Sequence, residues 1–148
     1  MTIEILDESG SGLDVKHFSQ LARFVMGQMR VHPLAELCIK AVDEDTIAEL
    51  NGKWMEKEGP TDVLAFPMDE LRPGKVNEEP EEGVLGDLVL CVSVAEKQGA
   101  EAGHGTLAEL ELLTTHGILH LLGYDHEEDA ERAEMWARQE RYSGVRVP

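Results

Sequence analysis

The sequence predicts a single α+β domain of four short strands and about five helices. Two observations carry that expectation. Apolar residues switch repeatedly between the period of two that marks a strand and the longer period that marks a helix. A length of 148 residues also fits one domain, and neither a linker nor an internal repeat divides it.

Residues 2–8 alternate, with Ile3 and Ile5 on one face and charges between them, and read as a strand. From Leu13 the period lengthens. Val15, Phe18, Leu21, Ala22, Val25, Met26 and Met29 mark an amphipathic helix that Asp14 can cap and His32-Pro33 ends. A second strand is expected over 36–42, where Leu37, Ile39 and Ala41 share a face. Thr46 with Glu49 has the form of a capping box and opens a short helix through Leu50 and Trp54, broken at Gly59-Pro60. Val63-Leu64-Ala65-Phe66 is a short strand stopped by Pro67.

Residues 68–83 hold Pro73, Gly74, Pro80 and a run of acids, and read as a flexible, solvated loop, either a lid or simply mobile. Leu85 to Val92 is the strongest strand pattern. Ser93 with Glu96, and then Thr106 with Glu109, would cap the next two helices. The second of these runs through Leu107, Leu110, Leu113 and Thr114 into His116, and Gly123 is placed to end it. Asp125 with Glu128 opens a last amphipathic helix through Ala133, Met135 and Trp136.

Composition narrows the class. An apolar content of 42% is ordinary for a globular chain and argues against disorder. Cys38 and Cys91 each sit in an apolar, strand-like run and read as buried, reduced thiols. No stretch approaches the roughly 20 apolar residues that span a bilayer, and Met1-Thr2-Ile3-Glu4-Ile5 lacks the features of a signal peptide. A cytoplasmic protein with no membrane partner is expected. Net charge is the unusual number. At −17 the surface repels phosphate backbones, which by itself disfavours a polyanionic substrate but says little about one local cleft.

The chemistry concentrates in His116-Gly117-Ile118-Leu119-His120-Leu121-Leu122-Gly123-Tyr124-Asp125-His126, which holds three of the six histidines. Residues four apart share a helix face about 6 Å apart along the axis, so His116 and His120 can reach one ion. A turn at Gly123 lets His126 supply a third nitrogen. Three protein ligands leave a tetrahedral ion one open position, the mark of a catalytic rather than a structural site. Water held there becomes a nucleophile near neutral pH.

This spacing matches the metzincin peptidase pattern, except that Gly117 stands where those enzymes carry their general-base glutamate. The departure counts against simple peptide hydrolysis and leaves metal binding intact. Asp87 and Asp125 are candidates for a replacement base, although Asp125 reads more naturally as the cap of the last helix. His17, His32 and His104 read as ordinary structural histidines.

These residues also resemble the YbeY family of metal-dependent endoribonucleases. The histidine segment matches that family's signature throughout. Support comes from Pro60-Thr61-Asp62-Val63-Leu64-Ala65-Phe66-Pro67, from Gly86-Asp87-Leu88, and from Met135 with Glu140. The resemblance implies a mixed sheet flanked by helices and one divalent ion, zinc being the one expected, on His116, His120 and His126. It implies single-strand-specific cleavage of RNA in ribosomal RNA maturation, chiefly at the small-subunit end, and in ribosome quality control. The small ribosomal subunit and an assembly GTPase are the implied partners.

One departure stands out. Many relatives carry arginine five residues before the proline of Pro-Thr-Asp, and here that position is Met55, as in actinobacterial-type relatives with a Trp-Met pair. Methionine offers no forked donor to a phosphate. Lys53, Lys57, Arg72 and Lys75 are the cations able to substitute, each equally readable as surface charge. With so acidic a chain, intrinsic RNA binding should be weak and salt-sensitive, with specificity lent by a protein partner. The rival readings are a metal-dependent peptidase or amide hydrolase, and a non-enzymatic assembly factor whose metal only orders the last two helices.

Overall fold

A computed structural model describes residues 1–74 and 79–124, and within them the four expected strands form one sheet. In chain order the elements are β1 (Thr2–Asp7), α1 (Val15–Gln28), β2 (Glu36–Val42), α2 (Glu44–Met55), β3 (Val63–Pro67), β4 (Val84–Cys91), α3 (Val92–Ala102) and α4 (Gly105–Leu121). The strand order is β1-β2-β4-β3. β1, β2 and β4 run parallel, and β3 closes one edge antiparallel to β4, so the sheet is mixed. The helix expected from Asp125 onward lies outside the described residues.

Alternation along the strands sorts side chains onto two unequal faces. Leu37, Ile39 and Ala41 of β2, with Leu88 and Leu90 of β4, face the main core. There they meet Phe18, Ala22, Val25 and Met26 of α1, Ala95 of α3, and Leu110, Leu113 and Ile118 of α4. Among the described elements, α2 alone covers the opposite face. A smaller cluster forms there from Val42, Ile47, Leu64, Val89 and Cys91. Among the described elements one sheet face therefore carries three helices and the other carries one, which decides where each strand residue can act.

Several helix starts differ from the sequence expectation. At α2 the cap is Asp43, whose carboxylate accepts from the Thr46 backbone N–H at 2.8 Å, so Thr46 and Glu49 lie inside the helix. The Thr46 hydrogen bonds hold the Asp43 carboxyl below its ordinary pKa. α3 follows β4 directly at Val92 and has no side-chain cap; Ser93 Oγ lies 3.5 Å from Cys91 Sγ instead. α4 begins at Gly105, and Glu109 is not a capping partner of Thr106. It is buried, with Oε1 2.6 Å from His104 Nε2. A capping box requires a free N–H at its third position, and here the preceding residues had already started each helix. α1 ends at Gln28, short of His32-Pro33, as Arg30 turns the chain in a left-handed conformation (φ 56°).

The segment after β3 is also more ordered than its composition suggests. Met68 and Asp69 donate backbone bonds to Leu85 and Val84. The Asp69 carboxylate accepts from Val84 N–H at 2.7 Å, Leu71 is 2% exposed in the main core, and Gly74 N–H donates to Met29 at 3.1 Å. Residues 68–74 are therefore packed, not a flexible loop. The thiols differ as well. Cys91 is fully buried, but Cys38 is half-buried on the open face, where burial and then the Asp87 carboxylate raise its pKa. No helix among the described residues is long and apolar enough to cross a membrane.

Candidate metal centre

Helix α4 is apolar along most of its length because it lies against the sheet. Leu113, Gly117, Ile118 and Leu121 are buried, while His116 is half-buried and His120 is exposed at the groove edge. The i, i+4 spacing brings the two imidazoles side by side, with centroids 6.2 Å apart and planes within 15° of parallel. Imidazole nitrogens bind zinc-like ions at about 2 Å. The observed separation is near the outer end of what two rings sharing one ion can span. The donors fit a borderline-soft divalent ion. Among the described residues no group of three His, Cys, Asp or Glu side chains assembles around a metal position. His126 and Asp125 lie outside the described residues.

Two cavities meet at His120. The first, about 240 Å³, runs between α4, the edge strand β3 and the end of α2, and is lined by Asn51, Met55, Lys57, Thr61, His116 and His120 among others. The second, about 250 Å³, is lined by Pro67, Glu70, Arg72, His120, Gly123 and Tyr124 among others. Among the described residues one Lys or Arg lines each: Lys57 in the first and Arg72 in the second. Lys53 instead stands 5.2 Å above the Trp54 ring, and Lys75 lies outside the described residues. Met55 also lines the first cavity, so this position faces the site.

Asn51 belongs to the site although no sequence motif marks it. It is 4% exposed, its side-chain amide donates to the Gly59 carbonyl at 3.0 Å, and its backbone carbonyl accepts from Lys57 N–H at 3.3 Å. Those bonds hold the turn that carries Lys57 and Thr61 against the cavity. The available signal was a polar residue on the buried face of α2, one turn after Ile47.

Gly117 has a packing reason. A Cβ there would lie 2.6 Å from Leu88 Cδ2 and 3.0 Å from Cδ1, and Leu88 is fully buried. Any side chain at this position points into the seam between α4 and β4, so a glutamate cannot serve as base without prising the helix off the sheet. Gly117→Ala is expected to lower stability by about 1 kcal/mol, since overpacking costs ~1–3 kcal/mol and better helix propensity returns ~1. A urea midpoint higher than that of the unchanged chain would show that Leu88 yields freely.

Asp87 is not brought to the histidines. Leu88 points at Gly117, so by alternation Asp87 points through the other face of the sheet. It lines a separate cavity of about 430 Å³ with Cys38, Lys40, Trp54, Phe66 and Met68 among others. The other histidines have local partners: His17 lies 3.4 Å from Glu111, His32 Nδ1 accepts from Leu34 N–H at 3.0 Å, and His104 meets Glu109. Gly123 takes the left-handed conformation expected of it (φ 98°).

Comparison with known proteins places the chain in a family. The family model described as Endoribonuclease YbeY matches residues 6–144. A protein of that name from a Nocardioides species is 74% identical over 140 residues, spanning 95% of this chain and 94% of the relative. One from Acidothermus cellulolyticus is 60% identical over 144 residues, spanning 94% and 87%. A solution structure of a Thermotoga maritima protein superposes with a TM-score of 0.67 at 30% identity, covering 96% of this chain and 87% of that one.

Proposed function

Because the chain belongs to the YbeY family of endoribonucleases, we propose that it is a hydrolase of RNA phosphodiester bonds that depends on one divalent ion. The observation that carries this reading is the side-by-side pair of His116 and His120, opening onto grooves that bear Lys57 and Arg72. In the full reading His126 completes the ligand set and zinc is the ion. Bound there, such an ion would supply a water of lowered pKa and a charge to polarise a phosphoryl oxygen.

The remaining work falls to the chain. Gly117 lets α4 sit close enough to β4 to hold both imidazoles at the groove. Asn51 fixes the turn that presents Lys57. With Asp87 on the far side of the sheet and no room for a side chain at 117, Asp125 is the remaining candidate base from the sequence. The substrate is single-stranded ribosomal RNA near the small-subunit end, and the proposed setting is cytoplasmic ribosome maturation and quality control beside the small subunit and an assembly GTPase.

The test is metal analysis of the purified chain, coupled to cleavage of labelled single-stranded and duplex RNA and a parallel screen of peptide substrates. Turnover of single strands with about one ion per chain is expected. Turnover of peptides alone would favour an amide hydrolase. Full metal occupancy with no RNA turnover would leave the non-enzymatic assembly factor.

A further inference from the structure

Arg72 is held more firmly than a surface cation needs to be. Its neighbour Leu71 is 2% exposed in the main core, and two residues on, Gly74 N–H donates to the Met29 carbonyl at 3.1 Å. Alanine at 74 would collide with the Arg30 carbonyl, so that anchor has no slack. Between these anchors the Arg72 side chain extends over the end of α4, occupying the space a Cβ on Gly123 would need. Nη1 donates to the Leu122 carbonyl at 3.5 Å, a long bond that uses one of five guanidinium N–H donors. No carboxylate among the described residues pairs with it, although Glu70 lines the same cavity. A guanidinium fixed beside His120 with donors to spare is suited to a phosphate oxygen.

On the endoribonuclease reading, we propose that Arg72 is a positioning residue that binds an RNA phosphate next to His120, and that the strand runs from the Lys57 cavity across β3 to Arg72. Two cations in separate cavities that share one imidazole define a path rather than a point. The bland alternative is that Arg72 only caps the C-terminal carbonyls of α4, where a positive charge is favourable.

Arg72→Met and Arg72→Lys in the full-length, metal-loaded chain separate these roles. Cleavage of a short single-stranded RNA and anisotropy binding of its uncleavable 2′-O-methyl counterpart are each measured across salt concentrations. Arg72→Met is expected to weaken binding and raise KM by about tenfold to a hundredfold. It should also reduce the log–log salt slope by about 0.7, the share of one single-strand phosphate. Arg72→Lys should keep the slope and recover only part of the affinity. Binding and slope unchanged in Arg72→Met, with only a lower melting temperature, would reduce Arg72 to a helix cap. The binding arm keeps the two readings apart: a parent chain that binds but never cleaves RNA would overturn the nuclease reading while still testing Arg72.

Discussion

Replacing His120 by alanine is expected to abolish metal retention and RNA cleavage together while leaving the fold in place. His120 is the side chain common to both cavities and is exposed on α4, so its loss removes a nitrogen without opening a hole in the core. Alanine is also the better helix former. A bound ion contributes several kcal/mol of transition-state stabilisation, and each 1.4 kcal/mol is about tenfold in rate. A fall of about a thousandfold or more in kcat/KM should therefore accompany loss of the ion, with far-ultraviolet circular dichroism unchanged. The comparison is made after chelation as well. A metal-depleted His120→Ala chain that cleaves RNA at the parent rate would sink the metal-hydrolase mechanism.

Gly86→Ala should be the most destabilising small substitution in the sheet. Gly86 sits in β4 opposite Pro67 of β3, with φ at 147°, a conformation essentially closed to residues with a Cβ. An added methyl would collide with the Phe66 carbonyl oxygen and lie 3.0 Å from both Pro67 Cα and Leu121 Cδ2. The first two are backbone and cannot rotate away. Backbone strain of ~1–3 kcal/mol adds to overpacking of similar size, so a loss of about 3 kcal/mol or more is expected. For a chain of this length that is roughly 10 °C in melting temperature. Pro67 and Leu121 both line the cavity at His120, so residual activity should fall further than the unfolded fraction explains. A urea midpoint within error of the parent would mean that β3 parts from β4 at little cost.

Much of the molecule is legible in its amino-acid sequence. The strands were found where alternation is clean, as at Leu37, Ile39 and Ala41, because a half-buried strand writes its two faces into a period of two. Helix starts were less legible. Thr46, Ser93 and Thr106 each offered a plausible cap, yet Asp43 preceded the first, β4 ran straight into α3, and Glu109 was drawn into a buried pair with His104. Local patterns compete, and burial decides among them. The acidic composition of 68–83 hid the fact that Leu71 and Gly74 tie the first part of it down.

The sequence by itself determined a single α+β domain, the family, and the i, i+4 pairing of His116 and His120, since helical periodicity alone puts those rings on one face. Only the tertiary structure decided what surrounds them. Alternation says that Asp87 and Leu88 point oppositely, but not which of them meets α4, and the packing of Gly117 against Leu88 sends Asp87 to the far face. Likewise no local pattern could bring Asn51, Lys57 and Arg72 to one pair of grooves. Contacts between residues tens of positions apart depend on how loops close over a sheet, and that information is spread across the whole core.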